Sequence, residues 1–441
     1  MRPQLLVLLL AGCGSASSSS AFHATLARRA AALSAPAPTD DLPHTREGFT
    51  RAVIARDPGM AARVERAREA LEQAGVESSL PSPEAVAQVW NVPFSQPWSL
   101  GDADMYMIEL RQRLPPPGLL GARERQGAAM ASAALAELAT RERELARRVA
   151  TAWAEHLAAS LHHRVHHEHL AVVDRMADAA RARIAASRGA LDDLPRLDAE
   201  RARVLRLIAR FDNDRRRAGR ALNVLALHAV DAPLTLADDA PLESVTVPLE
   251  ELLARAVTRR GAVVAARASL DAAREGATAA HAEATRPEFM LGLSVWIDPN
   301  HHNGYGAMAG MTLPWLWGPG RARERAATAR VRAEESGVRE VEAAVRADVV
   351  EAHARVEGAL RELAIVQGDA ARAADRSLDA AQAGYVTGAT TLFAWLDAAR
   401  LRLDLAMEAI DLRVELERAL AALDEAVGEP LPRIRVDGGA P

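Results

Sequence analysis

One segment of this chain occurs twice, and the duplication constrains the fold before any local pattern is read. Gly189 opens a stretch in which Leu197, Asp198 and Ala199 precede Arg201, and Gly388 opens one in which Leu396, Asp397 and Ala398 precede Arg400, at an offset of 199. Leu114 and Pro115 recur as Leu313 and Pro314 at the same offset. The run at 122–125 recurs at 322–325 (offset 200), that at 51–53 as 255–257 (offset 204), and that at 220–222 as 418–420 (offset 198). Five anchors in one order mark two tandem copies of one unit, not the three average domains that a length of 441 suggests. The copies occupy 45–228 and 247–428. A linker at 229–246 joins them, and a tail at 429–441 follows.

Within each copy the periodicity changes in the same order. A helical stretch, about 45–77 and about 247–284, gives way to alternation of period two. Tyr106, Ile108 and Leu110 stand against Met107, Glu109, Arg111 and Arg113; Phe289, Leu291, Leu293 and Val295 stand against Met290, Gly292, Ser294 and Trp296. Such alternation predicts strands with one apolar and one polar face. Partner runs at about 85–93 and 305–313 complete two hairpins, at about 84–114 and 287–314, the second with Asn303 and Gly304 as turn chemistry. After each hairpin a Pro/Gly break precedes an uninterrupted Ala/Arg/Glu/Leu stretch. The first of these, 119–187, is on the order of 100 Å long as one helix, more than a compact domain needs. Reversals are expected at about 185–197 and 384–396, where Gly189 and Gly388 permit tight tips. The fold class is mainly α with a small β part: long antiparallel coiled-coil helices and two β-hairpins in a tandem repeat.

Composition assigns these parts different work. Hydrophobic residues are 49% of the chain, mostly Ala, Leu and Val, yet only 16 are aromatic, which favours long helices over a bulky core. Nine of the 16 (Trp90, Phe94, Trp98, Tyr106, Phe289, Trp296, Tyr305, Trp315 and Trp317) lie in the hairpin regions. Trp and Tyr concentrate at membrane interfaces, and strands of about ten residues span a bilayer when tilted. Four strands fall short of the roughly eight of the smallest closed barrel, and an open edge cannot sit in lipid, so the chain is expected to oligomerise. The 54 basic residues are all Arg, against 59 acidic, for a net charge of −5 without a basic tail, which excludes nucleic acid as a partner. HExxH, GxSxG, Walker A and dinucleotide glycine motifs are absent, so neither an enzyme activity nor a cofactor is expected. His162 with His166, and His163 with His167, have the i, i+4 spacing at which two imidazoles can share a metal. No carboxylate or thiol completes a site, so a solvated helix face is the expected arrangement and metal binding the weaker reading.

The single cysteine, Cys13, excludes a disulfide framework and thiolate zinc sites. Arg2 precedes an apolar run at 5–10, too short to span a bilayer, and Ala11, Gly12, Cys13 and a serine tract at 17–20 follow. This order resembles a bacterial lipoprotein signal. The resemblance implies removal of 1–12 as a signal peptide, a lipid-anchored linker at 13–44, acyl chains on Cys13 and, with Gly14 next to it, sorting to the outer membrane.

Ser377, Leu378, Asp379, Ala380, Ala383, Gly384, Tyr385, Gly388, Thr391, Leu396, Asp397 and Ala398, within the duplicated order of elements, resemble the second tip of the TolC-type outer-membrane efflux proteins, and the lipoprotein signal resembles their branch associated with resistance-nodulation-division pumps. That family implies a homotrimer, with a 12-stranded membrane β-barrel and an α-barrel running through the periplasm of a Gram-negative bacterium. Its members are passive exit ducts of tripartite systems, exporting small molecules or metal ions with a periplasmic adaptor and an inner-membrane pump, and they contact outer-membrane lipid. By resemblance Asp397 lines the closed entrance as an anionic ring, with Asp198 its counterpart, and Tyr385 latches the tip. Ala394 and Ala389 stand where the family can have a second gate carboxylate and a latch arginine, leaving Asp192, Asp193 and Arg188 as alternative latch partners. Glu109, Arg111 and Arg113 are expected on the barrel lumen, and Trp296, Trp315 and Trp317 on the lumen or its aromatic girdle. The competing class is a periplasmic lipoprotein coiled coil with a structural or metal-binding role.

Overall fold

Proline and glycine set the helix boundaries in both copies. The computed structural model describes residues 23–28, 30–31, 42–92, 94–95, 97–98, 100, 103–236, 242–298 and 302–436; Cys13 and the expected anchor lie outside them. Helix α1 (Arg46–Arg56) stops where Pro58 forces the preceding Asp57 into an extended conformation, and α2 (Pro58–Ser78) restarts with the Asp57 carboxylate accepting from the Met60 amide at 3.1 Å. Strands β1 (Glu84–Trp90) and β2 (Met105–Leu114) follow, then α3 (Leu119–Ala185) and α4 (Asp193–Leu225). A short strand β3 (Glu243–Ser244) lies in the linker, and the second copy repeats the pattern: α5 (Leu249–Arg259), α6 (Gly261–Thr285), β4 (Phe289–Ile297), β5 (Gly304–Met311) and α7 (Gly320–Ile365). Then come α8 (Ala371–Thr387), α9 (Leu392–Val427) and a short strand β6 (Ile434–Arg435).

The first long stretch is one helix of 67 residues, as its composition predicts. The second is not uninterrupted. Between α7 and α8 a π-helical turn, Val366–Ala370, carries Gly368 at φ −83° and ψ −105°, outside helical geometry, so the copies differ here by one widened turn.

Two contact-defined units make up the chain. The strand-bearing unit includes 62–137 and 262–341. Its sheet has the order β1-β2-β4-β5, antiparallel throughout, so β2 pairing with β4 joins the two copies. Below the sheet small residues let helices approach closely: a Cβ on Gly127 would lie 2.2 Å from that of Ala74, and Leu119, Ala122, Ala279 and Ala282 form one buried cluster. The abundance of Ala therefore reflects tight helix contacts as well as helix propensity.

The helical unit includes 42–61, 138–261 and 342–436. In its core Phe49 is fully buried and meets Trp153 edge-on at 5.8 Å. The linker and the tail, expected only as connections, pair with each other through β3 and β6. Gly428 ends α9 at φ +88°, and a Cβ there would lie 2.6 Å from the Arg260 Cα. Among the described residues no helix is long and apolar enough to cross a membrane.

Gly428→Ala combines left-handed strain with a backbone clash and should destabilise the helical unit by about 1–3 kcal/mol. Gly337 has open space around it mid-helix, so Gly337→Ala should stabilise by roughly 0.5–1 kcal/mol. Thermal or denaturant unfolding of the two variants checks both signs.

Candidate functional site

At the second tip, Gly388 takes φ +87°, the amide of Ala389 returns to the Gly384 carbonyl at 2.8 Å, and Thr391 caps α9 by accepting from the Ala394 amide at 3.3 Å. At the first tip the left-handed residue is Ser187, φ +58°, and Arg188 donates back to the Arg183 carbonyl at 2.9 Å. Ser187 therefore corresponds to Gly388, which corrects the pairing of Gly189 with Gly388 drawn from the offset of 199. Ser187 stands five residues before the N-cap Asp192 and Gly388 three before Thr391, so the first turn is longer by two. Gly189 is needed there for close approach, since a Cβ would lie 2.8 Å from the Ile184 amide nitrogen.

Tyr385, only 2% exposed, joins the two tips. Its hydroxyl donates to the Asp193 carboxylate at 3.0 Å, its ring lies 4.6 Å beneath the Arg183 guanidinium, and its other neighbour is Trp395 at 5.4 Å. Arg183 also donates to the Tyr385 and Arg188 carbonyls. Of the open alternatives, Asp193 is thus the residue bonded to Tyr385; Asp192 pairs instead with Arg196, and Arg188 contributes a carbonyl. The cation at the ring, Arg183, is one that the sequence pattern did not single out. Burial, then the Asp193 carboxylate, push the Tyr385 phenol up to about 12. Asp198 and Asp397 both lie exposed near the starts of α4 and α9.

Behind the tips sits a buried ion layer absent from the sequence-based candidates. Glu200 of α4, 4% exposed, accepts from Nε and Nη2 of Arg400 on α9 and from Arg203 at 3.4 Å, while Nε2 of His169 on α3 lies 3.8 Å away. Burial alone would raise the Glu200 carboxyl, but Arg400 and Arg203 hold it below the ordinary range. Burial pushes the His169 imidazole down despite Glu200. The signal was one asymmetry between the copies: Arg201 and Arg400 correspond, whereas Glu200 stands opposite Ala399.

The expected solvated face at the histidines does not hold for His162 and His166, which are buried. Both pack on Phe211, with ring centroids at 4.8 and 4.9 Å. His162 Nε2 lies 3.0 Å from Asp411, and His166 Nδ1 donates to the His162 carbonyl at 2.8 Å, so they act as a polar core pair. His163 and His167 lie further out, their rings 4.5 Å apart. Among the described residues no group of three or more His, Cys, Asp or Glu is placed to hold a metal.

The four-stranded sheet has two unlike faces. One presents Ile108, Leu110, Leu291, Leu293, Val295 and Ile297, between 46% and 63% exposed. The other carries all four charged residues of these strands, and they pair off: Glu109 with Arg111, and Glu84 with Arg113. Trp296 lies on this polar face, across Gly304 and Gly306, where a Cβ would meet its ring at 2.5 and 2.6 Å. Trp315 and Trp317 are exposed in the turn after β5, off the strands.

This pairing of a two-faced sheet with duplicated helical hairpins defines the fold of outer-membrane channels. Three solved channels align with nearly the whole chain. OprN does so at TM-score 0.72 and 17% identity over 91% of this chain and 92% of its own. MtrE of Neisseria gonorrhoeae, in its open state, does so at 0.72 and 21% over 88% and 89%. VceC of Vibrio cholerae does so at 0.71 and 17% over 87% and 96%. No curated protein is a significant match by sequence. Residues 252–429, within the second copy, match the outer membrane efflux protein family.

Arg400→Ala removes the main partner of buried Glu200, but the Arg400 side chain is 41% exposed and Arg203 remains, so the variant should destabilise by about 1–2 kcal/mol, measured by denaturant unfolding. For Tyr385 the folded pKa lies above the ordinary value of about 10. Its contribution is therefore complete below pH 10 and is lost as pH rises through about 12. Tyr385→Phe should abolish that alkaline loss, read as stability against pH.

Proposed function

We propose that the protein is the outer-membrane exit duct of a tripartite efflux system, open for passive export and driven by an inner-membrane partner. The observation that carries this reading is the sheet: an apolar exposed face, a polar opposite face and two free edges, β1 and β5, in one chain. Lipid accepts the apolar face but not the edges, and three copies close them as twelve strands around a polar lumen. A soluble coiled-coil lipoprotein leaves six large apolar side chains in water, which disfavours that alternative. Acyl chains on Cys13 supply the anchor. Exposed Leu191, Val386 and Phe393 at the tips offer apolar docking points to a periplasmic adaptor, and a resistance-nodulation-division pump is the expected third component.

The gate in this reading is the latch of Tyr385, Asp193 and Arg183, with Asp397 from three copies forming an anionic ring at the mouth. Detergent-extracted protein should run as a trimer and give unitary conductances in planar bilayers. A monomer fully released by removal of the acyl anchor would overturn the reading. Asp397→Ala should raise conductance or weaken block by cations at the mouth, and an unchanged block removes Asp397 from the gate.

A further inference from the structure

Methionine is concentrated where the charge is cancelled. The four long strands, 34 residues in all, hold five of the chain's ten methionines: Met105, Met107, Met290, Met308 and Met311. The strand register puts Met105, Met107, Met290 and Met308 on the polar face and only Met311 on the apolar one. They form two tiers. In one, Met105 lies directly opposite Trp90, and Met107 opposite Trp296. In the other, Met290 leans over Gly310 and Met308 over Gly292, their methyl carbons 3.9 and 3.3 Å from where a Cβ would be. At 292 a Cβ would also lie 2.7 Å from the Glu109 carboxylate, so glycine there leaves room for Met308, whereas the Met290 contact at 310 is an ordinary one.

The hard donors of this face are engaged, because Glu109 and Glu84 are neutralised by Arg111 and Arg113. Thioethers remain, with indoles beside one tier. Thioethers bind soft monovalent metal ions and discriminate against hard divalent ions, which need carboxylate or imidazole. An indole face adds attraction for a desolvated cation. Several weak sites in sequence, instead of one closed ligand cage, are also what passage through a pore requires.

We propose that this methionine face conducts soft monovalent metal cations, Cu(I) or its redox-stable analogue Ag(I), and that such an ion belongs to the exported cargo. The inference rests on the channel reading above. Its test compares wild type with the triple variant Met107→Leu, Met290→Leu, Met308→Leu in planar bilayers in potassium nitrate, adding silver nitrate or zinc nitrate. Silver should retard the wild-type current at concentrations at least tenfold lower than in the triple variant, while potassium conductance stays within twofold and zinc acts on both alike. Equal silver sensitivity, or the same methionine dependence for zinc, overturns the proposal. Absence of any unitary conductance in wild type instead overturns the channel reading. A silver titration of wild-type protein in detergent, followed by its methionine methyl resonances, keeps the proposal falsifiable if the triple variant does not fold. Met107, Met290 and Met308 should shift and the buried helical Met60 and Met176 should not; unmoved strand methionines overturn it.

Discussion

The pairing of β2 with β4 is the contact on which the rest of the strand-bearing unit depends. Nine residue pairs, from Tyr106 with Ile297 to Leu114 with Phe289, turn two hairpins from different copies into one surface. A lone two-stranded hairpin is marginal in water, and in an apolar medium both its edges leave backbone groups unsatisfied. Joining the hairpins places β2 and β4 in the interior and leaves just two edges per chain. The same register aligns the apolar residues of both copies on one side, because a slip of one residue would turn every side chain of a strand to the other face. Polar residues are then collected on the opposite side, where their charges cancel.

In the helical unit the organising contacts are polar and cross between copies. Tyr385 of the second copy bonds to Asp193 of the first, and Arg400 of the second to Glu200 of the first. The tyrosine lies in an apolar cluster containing Val173, Met176, Leu197 and Leu396, and Glu200 is itself buried. Burial makes each contact expensive to break on one side only. It is also what distinguishes these contacts from the many exposed i, i+3 and i, i+4 arginine–carboxylate pairs along the helices, which contribute little.

Much of this was readable from residue order. Period two located β2 and β4 almost to the residue, and the duplication made a second hairpin and a second tip certain to exist. What could not be read was how the copies are offset inside their turns. Alignment by Leu197, Asp198 and Ala199 with Leu396, Asp397 and Ala398 is correct for α4 and α9, and its extension back to Gly189 fails because the turn lengths differ. The histidines failed for a related reason. Spacing gives the face of a helix that residues share but not what covers that face, and Phe211 and Asp411 come from other helices. Arg183 was hidden among 54 arginines, many of which pair with a nearby carboxylate along an exposed helix face.

The extra two residues in the first turn bear on symmetry. Duplicated copies allow a threefold assembly to imitate a sixfold one, with every helical hairpin presenting the same end. Here one helical hairpin of each chain is closed by Ser187 in a long turn and the other by Gly388 in a short one. In the proposed trimer the two kinds of turn alternate around the mouth, so a partner docking there meets two unlike seats.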